Sequence, residues 1–166
     1  MSKRIRLPIE YVQQLPTDYR STIPESYLDV MGHMNIRWYM ALFNEGVLPF
    51  LQRIGLTQAY IDRENCGAFA LEHFVRYLAE VHVGQTVTIH TRVVGRSAKR
   101  LHFMQFMANE TTGSVAATLE ILNSHADLAV RRTSPYPREI TDKIDVLLAE
   151  HAQLTWEVPI CGAMTP

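Results

Sequence analysis

The sequence predicts an α+β domain in which a curved antiparallel sheet wraps around one long central helix. Three observations carry this. Ile36 to Ile54 is apolar around nearly its whole circumference, as a helix buried on most sides must be. From Gly67 to Arg132 the period changes: Thr86 to Val94 alternates, and tight turns divide the stretch into runs that read as long antiparallel strands. A length of 166 residues fits one core, and such a helix can be buried only by a surface that curves round it.

Taken in order, residues 1–17 carry Pro8 and Pro16 and read as an arm or a short first element. Asp18 to Leu28 is strand-like but interrupted by Pro24. Asp29-Val30-Met31-Gly32-His33-Met34-Asn35 has turn character, with Gly32 at the sharp point and Asn35 placed to cap the helix. Within that helix Gly46 and Pro49 should weaken or kink the chain, and Gly55 ends it. Thr57 is positioned to cap a short second helix through Asp62. Strands are then expected at Ala68–Glu80, Thr86–Val94, Arg100–Asn109 and Ser114–Val130, with turns at Gly84, Gly95–Ala98 and Thr111–Gly113. Pro135 and Pro137 precede an amphipathic helix from Ile140 to about Leu154. No repeat or linker interrupts the chain. The expectation is therefore a single domain over residues 1–166, with its core at about 19–132.

Composition excludes several classes. Hydrophobic residues make up 47% and charged residues 20%, ordinary for a globular protein and too apolar for a disordered one. The 16 lysines and arginines nearly balance the 17 aspartates and glutamates, so no global charge draws the chain to nucleic acid or an anionic membrane. Cys66 and Cys161 form neither a zinc motif nor a disulfide framework, and His82, His90, His102, His125 and His151 show no metal-ligand spacing. The basic start at Lys3, Arg4 and Arg6 is not followed by the apolar run of a signal peptide. A cytoplasmic protein with reduced thiols is expected.

The turn ahead of the long helix is the most informative place for chemistry. Asp29, His33 and Asn35 fall around a glycine at a helix amino terminus, where free backbone N–H groups suit an oxygen that becomes negative during reaction. A carboxylate there can attack a carbonyl or activate water against it. The same spacing equally describes a capped turn in which Asp29 bonds local backbone and His33 packs.

Asp29-x-x-Gly32-His33-x-Asn35 leading into Trp38-Tyr39 resembles the signature of hotdog-fold acyl-CoA thioesterases, in the 4-hydroxybenzoyl-CoA thioesterase-like group. The similarity runs from about Tyr19 to Arg132 and includes Phe69 to Leu78 followed by Val83-Gly84. From Leu71-Glu72 through Lys99-Arg100-Leu101-His102 the chain is similar to betainyl-CoA thioesterases. The resemblance implies a hotdog fold and Asp29 as nucleophile or as general base for water. It implies backbone N–H groups at Gly32 and His33 that polarise the thioester carbonyl, and His33 and Asn35 as orienting groups. Some subfamilies carry the carboxylate on the helix, where Glu45 stands.

The resemblance also turns Arg96, Ser97, Lys99 and Arg100 into candidate contacts for the phosphates of coenzyme A, with Arg131 and Arg132 as additions. Read from spacing alone, that turn is a solvated hairpin. Trp38, Tyr39, Phe43 and Tyr77 are candidate acyl-pocket residues, and their faces suit a quaternary ammonium group through cation–π attraction. Glu72 and His73 are expected as a buried, satisfied pair on a strand bordering a dimer interface. The implied protein takes acyl-CoA as substrate, needs no cofactor beyond the coenzyme A of that substrate and no metal, binds neither nucleic acid nor membrane, and forms a homodimer or a dimer of dimers. A hotdog hydratase and a non-catalytic acyl-CoA-binding module are the competing readings.

Overall fold

The computed structural model describes residues 7–166, so the basic start at Lys3, Arg4 and Arg6 lies outside the described residues. The elements are α1 (Ile9–Val12), β1 (Thr17–Thr22), α2 (Ile36–Arg53), α3 (Gln58–Glu64), β2 (Cys66–Tyr77), β3 (Thr86–Arg96), β4 (Arg100–Asn109), β5 (Ser114–Asp127), β6 (Arg132–Thr133) and α4 (Arg138–Ala152). One sheet takes the order β1-β3-β4-β5-β2, and β6 pairs with β5. This is the α+β hotdog arrangement of a curved antiparallel sheet and a long helix.

Local chemistry explains where elements end differently from the sequence reading. The first strand stops at Thr22, because Pro24 leads into a short 3-10 turn over Glu25–Tyr27. Strand β2 stops at Tyr77 rather than Glu80, because the N–H groups of both Leu78 and Ala79 converge on Ala116 O at 2.8 and 3.0 Å. Strand β5 stops at Asp127 rather than Val130. There the Asp127 carboxylate accepts the N–H groups of Ala129 and Val130 at 2.8 and 3.2 Å, and Arg131 takes φ 56°. The chain so reversed pairs Arg132 with Asp127 and Thr133 with Ala126. Thr57 caps α3 as expected, its Oγ1 accepting from Tyr60 N at 3.1 Å.

The described chain forms two compact units, each discontinuous in sequence. The first holds residues up to Val47 with Val75–Thr91 and Gln105–Leu119; the second holds Leu48–Phe74, Arg92–Met104 and Glu120–Pro166. In the first, Tyr39, Leu42, Phe43 and Gly46 of α2 are buried at helical spacing, and β3 packs against them. In the second, Phe50 of α2 meets Phe103 of β4 with ring centroids 4.8 Å apart. Ile36 and Leu48 are 65% and 56% exposed, so α2 buries one face rather than its whole circumference. Trp38, Met40, Ala41, Val47 and Leu51 are half-buried, which corrects the expectation of a helix buried on most sides.

Gly46 has a packing role rather than a hinge role. A Cβ built there would stand 2.5 Å from Ile89 Cγ2 and 3.2 Å from the Gln105 amide. Fully buried Gln105, with its amide oriented to satisfy both partners, donates to Phe43 O at 3.0 Å and accepts from Val47 N at 3.2 Å. Gly46→Ala gains roughly 0.5–1 kcal/mol of helix propensity but costs about 1–3 kcal/mol in overpacking. A net loss of about 1–2 kcal/mol is expected, read as a lower thermal midpoint; a rise would show that the helix can back away from β3.

Candidate active site

The turn before α2 is built almost entirely by its own backbone. Leu28 and Met34 form an antiparallel bridge. Asp29 N donates to His33 O at 3.0 Å, Gly32 N donates to Asp29 O at 3.1 Å, and Met31 N donates to Asp29 Oδ1 at 2.8 Å. Gly32 holds φ +83° with open space where a side chain would sit, so conformation and not room requires glycine there. Val30 and Met31 project into solvent while Met34 is buried, its N–H donating to Val81 O at 2.7 Å. Asn35 completes the turn as the helix cap: its Oδ1 accepts from Arg37 N at 3.1 Å and its own N–H donates to Tyr27 O at 2.9 Å.

This arrangement leaves Asp29 with one committed oxygen and one that faces a base. Oδ2 lies 3.6 Å from His33 Nε2, with the Asp29 side chain 16% exposed. The Gly32 amide is engaged with Asp29 O, whereas the His33 amide donates to no group among the described residues. Of the two N–H groups expected to meet a substrate carbonyl, the His33 one is open.

His33 also lines a cavity of about 250 Å³ with Met34, Ile36, Tyr39, Tyr77, Leu78, Ala79 and Glu80, all within the first unit. Tyr39 is buried, its hydroxyl donates to Ala79 O at 3.3 Å, and its ring meets Tyr77 edge-on at 5.1 Å. Burial raises the Tyr39 phenol above its ordinary value, so it stays a neutral hydrogen-bond donor.

Of the four aromatics expected in an acyl pocket, the structure brings Tyr39 and Tyr77 to the cavity. Trp38 instead stacks on Tyr27, with centroids 3.7 Å apart and Arg37 over its ring, and Phe43 is wholly inside the core. Asn35 and Asp29 stand beside the cavity wall rather than in it. Glu80, in the cavity wall, and His82, whose ring is hydrogen-bonded to Gly32 O at 3.2 Å, are neighbours of the turn that sequence reasoning did not bring to it. Nothing local marks them; they matter only because Val81 is hydrogen-bonded to Met34, which sets their loop beside the turn.

The basic turn lies in the second unit. Arg96 forms a two-bond ion pair with Asp145 of α4 at 2.6 and 2.5 Å, and the guanidinium holds that carboxyl below its ordinary value. Ser97 Oγ accepts from Lys99 N and Arg100 N at 3.4 and 3.1 Å and so shapes the turn. The side chains of Lys99 and Arg100 are exposed and form no ion pair among the described residues. Arg131 lies over the Phe69 ring at 5.0 Å. Glu45 is exposed on α2 and does not line the cavity. Glu72 and His73 are exposed on the single chain, where β2 stands at the end of the strand order with β5 as its strand neighbour.

Among the described residues, no three His, Cys, Asp or Glu side chains are grouped to hold a metal ion, and no helix is long and apolar enough to cross a membrane.

The thioesterase-like superfamily model matches residues 23–144. A betainyl-CoA thioesterase of Pseudomonas aeruginosa is 26% identical over 143 residues, covering 86% of this chain and 90% of that protein. An L-carnitine dehydrogenase/betainyl-CoA thioesterase of Agrobacterium fabrum is 32% identical over 124 residues; the match covers 75% of this chain but 25% of that longer protein. Among solved structures, a Staphylococcus aureus protein in complex with CoA superposes with a TM-score of 0.79 at 23% identity, covering 86% of this chain and 90% of that one. A 1,4-dihydroxy-2-naphthoyl-CoA thioesterase of Synechocystis gives a TM-score of 0.68 at 16% identity, covering 78% and 95%. With its strand order, its turn and its matched residues in agreement, the chain belongs to the thioesterase-like superfamily.

Proposed function

We propose that the protein hydrolyses an acyl-CoA thioester to the free acid and coenzyme A, with Asp29 as the reacting carboxylate. The observation that carries this is Asp29 Oδ2, free of the turn that binds Oδ1 and facing His33 at the wall of the cavity. As general base, Oδ2 takes a proton from water while the water oxygen bonds to the carbonyl carbon; as nucleophile, it forms that bond itself and water later cleaves the anhydride. Either way the C–S bond breaks and the thiolate leaves. The open His33 amide and the start of α2 stabilise the carbonyl oxygen as it gains charge. A thioester is already electrophilic and a thiolate leaves readily, so the chemistry calls for neither metal nor cofactor.

For the acyl group, the edge-on Tyr39–Tyr77 pair in the cavity wall favours a quaternary ammonium through its ring faces, as the names of the curated relatives also suggest. Thiol release from a panel of acyl-CoAs tests the whole reading. No release with any of them would leave a binding module, and consumption of an enoyl-CoA without thiol release would indicate a hydratase.

Lys99 and Arg100 carry the uncommitted charges of the basic turn and are proposed as contacts for the coenzyme A phosphates; Arg96 is held by Asp145. Replacing both by alanine is expected to raise KM for acyl-CoA by about fivefold, as exposed charge contacts of up to ~1 kcal/mol would, and to leave kcat unchanged. An unchanged KM would return the turn to a solvated hairpin.

A cytoplasmic homodimer joined along β2 completes the proposal. This end strand has one strand neighbour and exposes Leu71 at 42%, an open apolar edge that a partner strand can cover. Light scattering should give twice the chain mass for the wild type and the chain mass for Leu71→Arg. A monomeric wild type sinks the dimer.

A further inference from the structure

The arrangement at Asp29 continues past His33. The His33 ring presents Nε2 to Asp29 Oδ2 at 3.6 Å and Nδ1 to Glu80 Oε1 at 3.9 Å, so both of its nitrogens face carboxylates. Glu80 Oε2 in turn lies 3.5 Å from His82 Nε2, and His82 Nδ1 is 3.2 Å from Gly32 O. A carbonyl can only accept, so the His82 hydrogen bond is donated by Nδ1 and fixes that ring against the turn. His82 N also donates to Gln85 Oε1 at 2.9 Å, which pins its backbone. The inner pair is shielded and the outer pair open: side-chain exposure is 16% at Asp29 and 24% at His33 against 65% at Glu80 and 48% at His82. The four groups therefore alternate carboxylate, imidazole, carboxylate, imidazole from the reacting oxygen to solvent.

Hydrolysis of a thioester near neutral pH consumes one water and yields a carboxylate, a thiol and one proton. That proton must leave the site at every turnover. We propose that Glu80 and His82 are positioning residues of the Asp29 site, acting through His33: they hold its ring on Asp29 and lead the released proton out to solvent. The proposal rests on the assignment of Asp29 above. Separations of 3.5–3.9 Å exceed a hydrogen bond by no more than about 1 Å, and such contacts commonly tighten once substrate is bound. A pair of isolated surface ion pairs would not share one carboxylate between two rings, nor place that carboxylate in the wall of the same cavity as His33.

Glu80→Gln keeps the shape and removes the charge at an exposed position, so a thermal melt should match the wild type. Its kcat is expected to fall roughly tenfold, below the ~10²–10⁴-fold worth of a primary proton-transfer group, with KM within about twofold. Added imidazole buffer should restore kcat in Glu80→Gln and leave the wild type unaffected. In a His33→Asn background the same substitution should cost nothing further, since the two act as a unit. An unchanged kcat, a loss that adds in full to that of His33→Asn, or a loss that imidazole does not repair would each overturn the proposal. Asp29→Asn distinguishes the levels: if it retains activity the underlying assignment fails, whereas an inert Asp29→Asn beside a fully active Glu80→Gln removes this inference alone.

Discussion

Asp29→Asn is expected to lower kcat for acyl-CoA hydrolysis by about 10²–10⁴-fold while leaving the fold intact. Asparagine keeps an oxygen where Asp29 Oδ1 accepts the Met31 N–H at 2.8 Å, so the turn that presents the site should persist. What the substitution removes is Oδ2, the atom facing His33, which as an amide nitrogen can neither take a proton from water nor attack a carbonyl. Single-turnover thiol release measured beside a thermal melt separates lost chemistry from lost structure. Near-wild-type turnover would transfer the role elsewhere, with Glu45 on α2 the next residue to replace. Mass analysis of the protein after one turnover in oxygen-18 water then chooses between mechanisms: label in Asp29 means nucleophile, and no label means general base.

The second large effect is on stability. Lowering the pH from 6.5 towards 4 should destabilise the folded chain by about 3 kcal/mol through His151, on the order of 10 °C in thermal midpoint. His151 is buried at the end of α4, and burial, then the positive charges of Arg92 and Arg53, pushes it down to about 4. Arg92 is itself buried, donating to Trp156 O at 2.8 Å and His151 O at 3.0 Å with its guanidinium 4.2 Å over the Trp156 ring. A second cation beside it would add like charge to an already buried guanidinium. His151 Nδ1 accepts the Val93 N–H at 2.9 Å, so charging the ring also aims an N–H at a donor. The sign follows: between 4 and 6.5 the unfolded chain binds a proton that the folded chain refuses, so stability is fully present above 6.5 and falls as the pH drops. His90 and His125, also pushed down by burial, act in the same direction. His151→Gln should therefore flatten, not abolish, the decline in midpoint with acid. A variant whose decline is as steep as the wild type's would exonerate His151.

Much of the fold was legible because its signals are local. The strand expected over Arg100–Asn109, between two turns, coincides with β4, the threonine before α3 caps it, and Asn35 caps α2, each from residues adjacent in sequence. What was not legible depends on contacts between distant segments. Apolar residues all round α2 could not tell that Ile36 and Leu48 face outward, nor could Gly46 disclose that Ile89 lies where its side chain would be. The end of β5 turned on one aspartate that accepts two amides beyond the strand. At the site, the seven-residue turn announced Asp29 and His33. Glu80 and His82 became visible only once Val81 was seen bonded to Met34, and Phe43 left the pocket only once the core was seen to take it.

A last consequence concerns the irregular residues that follow α4. Glu120 of β5 is wholly buried; one oxygen lies 2.9 Å from His102 Nε2, and the other accepts the Cys161 N–H at 2.6 Å. Half of what compensates an interior charge thus comes from a segment with no regular secondary structure. The tail is to that extent a solvent for the sheet, standing in for water that Glu120 no longer sees. Shortening the chain to before Cys161 would not trim a loose end but strand a carboxylate with part of its hydrogen bonding gone, a deficit of the order of 1–3 kcal/mol or more for a charged group. The backbone of Cys161 thus belongs to the core's electrostatics, although the residues on either side of it meet solvent.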